Sequence, residues 1–108
     1  MGKPDTRRLD REIRQTTRKL EAVRNEEMWP LTGAERRAVL AALAGGSYRV
    51  MRGKSPARAE QRLQSAWETV QIRLIAEITA LQTERQRLVN EAAKEKAAKV
   101  TKKSSGWW

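Results

Sequence analysis

The sequence predicts an all-α protein: a small bundle of about three helices built on one long C-terminal helix. Three observations carry that prediction. Apolar residues recur at steps of three and four over long runs. Breaks are few, at Trp29-Pro30, Gly45-Gly46 and Gly53 to Pro56. Between Ala57 and Val100 there is neither Gly nor Pro, and the filler is Ala, Arg, Gln, Glu and Leu, all strong helix formers.

The first helix is expected over about 6–28. A small polar residue, Asp5 or Thr6, opens it, and Trp29-Pro30 ends it, because the residue before proline is pushed out of the helical region. Leu9, Ile13, Thr16, Leu20 and Val23 form its seam. Opposite them Arg7, Arg11, Arg14 and Arg18 make a ridge of like charge, which costs a few tenths of a kcal/mol per pair unless offset. Asp10 and Glu21 lie beside the ridge to do so. The ridge is a secondary candidate for phosphate contact, against a plain solvated face of mixed charge.

The second helix is expected over about 33–44. Thr32 and Glu35 have the spacing of a capping box, Val39, Leu40 and Leu43 supply apolar contacts, and Gly45-Gly46 ends the run. Arg36 and Arg37 load its first turn with the sign the helix dipole disfavours, which points to an anionic partner.

A basic connector is expected over 45–55. It holds Arg49, Arg52 and Lys54 without an acid, and its glycines let the backbone approach another surface. Tyr48 to Arg52 suits a short strand, a helical turn or a loop ordered on binding. An aromatic among arginines fits stacking on an exposed base with charge pairing to phosphate. The alternative is that Tyr48, Val50 and Met51 plug the end of the bundle. Gly53-Lys54-Ser55 invites comparison with a phosphate-binding P-loop, but Tyr48 stands where the first glycine belongs.

The long helix is expected over about 56–100, with Ser55 as N-cap and Pro56 at the first helical position. Leu63, Trp67, Val70, Leu74, Ile78, Leu81 and Leu88 form its seam, interrupted by Arg85, while Arg58, Arg62, Arg73, Arg87 and Lys94 gather on the other side. Glu77, Glu84, Glu91 and Glu95 lie close to those cations, so the middle reads as a salt-laced solvated surface. Residues 1–100 are read as one domain and 101–108 as a basic tail. Its two terminal tryptophans, Trp107 and Trp108, are candidates for anchoring in a partner's pocket, stacking on a base, or folding back onto the seam.

Composition bounds the function. Net charge is +10, and arginine outnumbers lysine fifteen to eight. That balance points to a polyanion, nucleic acid first. The excess is local: residues 31–56 carry net +4 and 92–108 net +4, while 57–91 balance. With no His and no Cys, the common general base, the thiol nucleophile and most transition-metal ligands are absent together, so the expectation is a non-catalytic protein without cofactor or metal. No apolar run approaches the roughly 20 residues that cross a bilayer, and no signal peptide is visible, so a cytoplasmic location without membrane or small-molecule partners is expected. Leu, Ile, Val and Phe total only 19 of 108 residues, a thin core that leans on self-association or a larger assembly.

The reading that follows is a helical nucleic-acid-binding subunit of a ribonucleoprotein or nucleoprotein assembly, contacting phosphates without sequence specificity and favouring RNA or single-stranded DNA over duplex. Arg36, Arg37, Arg49, Arg52, Lys54 and Arg58 are the phosphate contacts, with Tyr48 the stacker. In size, helicity and basic surface the chain resembles the small helical subunits of multi-subunit (class 1) CRISPR effector complexes. That resemblance, carried by architecture, implies a place along the path of guide or target strands, and no residue role is transferred from it. Two alternatives stand beside it: a coiled-coil structural or assembly protein of a phage or oligomeric scaffold, and a small DNA-binding plasmid or phage accessory regulator.

Overall fold

The structure is a computed structural model that describes residues 5–105 except Pro56, with side chains described to Thr101. It has three helices, α1 (Arg7–Arg24), α2 (Gly33–Met51) and α3 (Ala57–Ser105), and no strand among the described residues. The all-α, three-helix fold built on a long C-terminal helix is the one expected. The molecule is a rod of 87 × 19 × 19 Å. At 1.5 Å per residue the 49 residues of α3 account for roughly 73 Å of it.

Both shorter helices pack on α3 and run antiparallel to it. Asp10 near the start of α1 meets Arg85, while Val23 near its end lines the same groove as Leu63 and Trp67. Glu35 at the start of α2 meets Arg73, and Gly46 lies against Ala59. The first arm is thus a helix broken in two, laid head to tail along a continuous second arm.

The break is built from local chemistry. Asn25 caps α1, the amide of Glu27 donates to the carbonyl of Ala22 (2.9 Å) and that of Glu26 to Val23 (2.9 Å), the reciprocal pattern of a Schellman turn. Its left-handed position is held by Glu26 at φ 60° rather than by glycine. Because this turn stops α1 at Arg24, four residues before the expected end, the chain can dip so that Leu31 is buried and Met28 packs on the core, while Trp29 stays exposed. The expected capping box then starts α2: Thr32 accepts from the amide of Glu35 (3.2 Å) and the Glu35 carboxylate accepts from the amide of Thr32 (2.9 Å).

The core sits where the break meets α3. Leu20 and Val23 of α1, Leu31 of the turn, Val39 of α2 and Trp67, Val70 and Leu74 of α3 form one buried cluster. Val70 and Leu74 have no exposed surface. The seams expected on α1 and α3 are the ones buried or half-buried.

The seam expected on α2 is corrected. Val39 faces α3, but Leu40 and Leu43 are 49% and 47% exposed, and Ala42 takes the inward place. The end of α2 is corrected as well: 45–55 is no connector, because the helix continues through Gly45-Gly46 to Met51. A Cβ on Gly46 would lie 3.4 Å from that of Ala59, so the small residues let α2 lie close along α3, and that packing outweighs the roughly 0.5–1 kcal/mol that helical glycine costs. The true turn, among the described residues, is Arg52 to Ser55. Arg52 caps α2, Gly53 takes φ +73°, and the Lys54 amide closes on the Arg49 carbonyl (2.9 Å), a second Schellman turn. Ser55 accepts from the Ala57 amide (3.3 Å) as the expected N-cap of α3; Pro56 lies outside the described residues.

Candidate nucleic-acid interface

The seam between α2 and the start of α3 leaves an open groove of about 690 Å³. On α2 it is floored by Ala38, Ala41, Ala42 and Gly45, the i, i+3, i+4, i+7 pattern that puts small residues on one strip. On α3 it is bounded by Ser65, Ala66 and Thr69. Three arginines line it: Arg49 from the last turn of α2, Arg58 and Arg62 from successive turns of α3. No acidic residue lines it, and none of the three arginines forms an ion pair among the described residues. Glu60 lies on the other flank of α3, in an apolar groove with Leu43, Val50 and Leu63.

The structure therefore divides the residues expected to act together. Arg49 and Arg58 share the groove, joined by Arg62, which periodicity alone placed on a solvated face. Tyr48 and Arg52 are exposed and pair with each other: the guanidinium lies 5.5 Å from the ring centroid and Arg52 Nε donates to the Tyr48 hydroxyl (3.1 Å). The stacking candidate is already stacked by its own neighbour, away from the groove. Lys54 is exposed in the turn. Arg36 and Arg37 are exposed in the first turn of α2, about 18 Å along the axis from Arg49 at 1.5 Å per residue. The ridge of Arg7, Arg11, Arg14 and Arg18 is exposed, on the side of α1 turned from α3. Trp107 and Trp108 lie outside the described residues; helix α3 runs through Ser105, past the expected tail boundary at 100.

Two other arginines are corrected. Arg73 belongs to no solvated ridge: it donates through Nε and Nη2 to the two oxygens of Glu35 (2.7 and 2.9 Å), through Nη2 to the Pro30 carbonyl (3.3 Å), and through Nη1 to Glu77 (2.9 Å). It clamps the break to α3, and its guanidinium beside Glu35 holds that carboxyl below the usual carboxylate range. Arg85, which interrupts the seam, donates to Asp10 at 2.7 Å, so Asp10 answers α3 first and the ridge on its own helix only through the charge of Arg14. That bond lowers the Asp10 pKa, with Thr6 and the nearby charge of Arg14 adding to it. The expected salt-laced middle of α3 is present in Arg87 with Glu84 and Glu91.

No group of three or more potential metal-ligating side chains occurs among the described residues, and no described helix is long and apolar enough to cross a membrane. Comparison with protein-family models, with curated proteins and with solved structures gives no match.

Proposed function

We propose that the protein is a non-catalytic nucleic-acid-binding subunit that holds a phosphate backbone in the α2–α3 groove, within a larger nucleoprotein or ribonucleoprotein assembly of the kind its architecture resembles. One observation carries this reading: Arg49, Arg58 and Arg62 converge on an acid-free groove floored by alanine and glycine. Small residues let a sugar-phosphate chain approach the helix backbone, and guanidinium groups donate to phosphate oxygens in a planar fork. No side chain in the groove offers a base-reading pattern of amide donors and acceptors beyond Gln61, so binding is to backbone rather than sequence. A groove between two helices suits a single strand better than the wide cylinder of a duplex.

Affinity measured against salt tests the proposal. Wild-type chain should show a steep negative slope of log K against log salt. Replacing Arg49, Arg58 and Arg62 together by Gln should flatten the slope for single strands by roughly 2, at about 0.7 for each phosphate no longer neutralised. Unchanged affinity and slope for single-stranded RNA, single-stranded DNA and duplex would remove the groove as the site. The rod form supports a second reading, a structural or assembly protein, under which the triple variant leaves every function intact.

A further inference from the structure

The rod has a side that neither the core nor the arginine groove uses. Helices α1 and α2 cover one side of α3; the opposite side faces solvent along its whole described length. There Glu68, Ile72, Ile75, Thr79, Gln82 and Gln86 follow one another at steps of four and three. After one further step of four to Asn90, the rhythm resumes at Ala93, Ala97 and Val100. This is the 3–4 spacing of a coiled-coil seam, with a stutter after Gln86. Yet the residues are exposed, Ile72 at 67% and Ile75 at 45%.

The stripe is almost free of charge. One residue in three of the chain is Asp, Glu, Lys or Arg, but Glu68 is the only one at these positions, and it is held by the Gln64 amide at 3.3 Å. Its hydroxyls are also quiet: Thr79 and the adjacent Thr83 donate to the carbonyls of Ile75 and Thr79 (both 2.9 Å), which turns their polar atoms onto their own helix. Solvated helix faces carry charge because nothing opposes it, so a nearly neutral heptad stripe of about 48 Å on a +10 rod has the character of a contact surface.

We infer that this stripe is where two copies of the chain pair side by side. Charge selects the occupant. Two cationic rods repel wherever their arginine faces meet, and the back of α3 is a long face on which they can touch without bringing like charges together. An acidic partner would gain nothing from a neutral stripe and would be drawn to the arginines instead. Area sets the strength: a stripe about 48 Å long and about 10 Å wide buries roughly 480 Å² per copy, just under about 1,000 Å² in all, the size of a weak, reversible pairing rather than an obligate one. The pairing is independent of the nucleic-acid reading and leaves the α2–α3 groove open.

Sedimentation of the full chain without nucleic acid tests it. Salt between about 0.1 and about 1 M shortens the Debye length from about 10 to about 3 Å and removes the repulsion between the rods. The dimer dissociation constant should therefore tighten roughly tenfold, the reverse of the salt dependence expected for nucleic acid. I72K/T79K puts like charges into the stripe and should weaken pairing at least roughly a hundredfold. I72Q/I75Q, which keeps helix propensity and adds no charge, should weaken it less. L40K/L43K, on the exposed side of α2, should leave it unchanged, with helicity by circular dichroism checking the fold of each variant. A wild-type chain that stays monomeric throughout the salt range, or a dimer abolished by L40K/L43K and untouched by both stripe variants, would overturn the inference.

Discussion

The two halves of the rod are held together by different means. Along α1, large apolar side chains interlock with α3, and the one charge in that seam, Arg85, is met by a carboxylate on the facing helix. Along α2 the inward residues are Val39, Ala42 and Gly46, the leucines face outward, and Arg49, Arg58 and Arg62 have no acid to meet. One half spends its sequence on satisfied contacts, while the other trades side-chain volume for close helix approach and leaves cations unpaired. That is the division expected when one half supports and the other binds.

Breaking the point where the halves join should have the largest effect. Leu74 is fully buried in the cluster shared by α1, α2 and the turn between them, so Leu74→Ala should destabilise by about 2–5 kcal/mol, read by chemical denaturation. The Arg73 clamp comes next. Its acceptor side chain Glu35 is only 13% exposed, and Glu35→Gln should cost about 1.5–3 kcal/mol through weakened charge-assisted hydrogen bonds. The same carboxylate makes stability depend on acid. Its pKa is lowered by folding, so its contribution is complete above the unfolded value near 4.3 and is lost as pH falls through the lower folded value. Thermal melts should show Tm falling with acidification below that range, and less steeply in Glu35→Gln.

Asp10→Asn should lower Tm by less than Glu35→Gln, since Asp10 and Arg85 are both about 40% exposed and solvent screens the pair. An equal loss from both would mean that the α1 half depends on its ion pair rather than on its interlocked seam. The smallest change is a gain. Glu26 sits at φ 60° where glycine carries no steric penalty, and Glu26→Gly should stabilise by about 1 kcal/mol at most. If it destabilises instead, the turn depends on the Glu26 side chain.

The α1 half and the seam of α3 were legible because large apolar residues at helical spacing report the buried face directly. The α2 half was not, for a physical reason. After Val39 the inward places fall to Ala42 and Gly46 while Leu40 and Leu43 face outward, so periodicity points to the wrong side, and a glycine pair that would end an isolated helix is kept because Gly46 packs against Ala59. Arg49 and Arg58 were recognisable as candidates from local charge. Their convergence with Arg62 was not, since it follows from a turn that reverses the chain between them. The alanine pattern at 38, 41, 42 and 45 carried the missing signal. The role of Arg73 as a clamp was hidden for a related reason, as its partner lies 38 residues away.

The far end of α3 has a kinetic consequence. Among the residues whose side chains are described, Ala92 is the last half-buried one of α3, and Ala93 to Thr101 are exposed. Thirteen residues of α3 remain beyond Ala92, roughly 20 Å, a length at which an isolated helix is marginal in water. In a lone chain the amides of Ala93 to Val100 should exchange with solvent long before those around Val70. Side-by-side pairing would slow that exchange, making this overhang a local clock for assembly state that needs no label and no mutation.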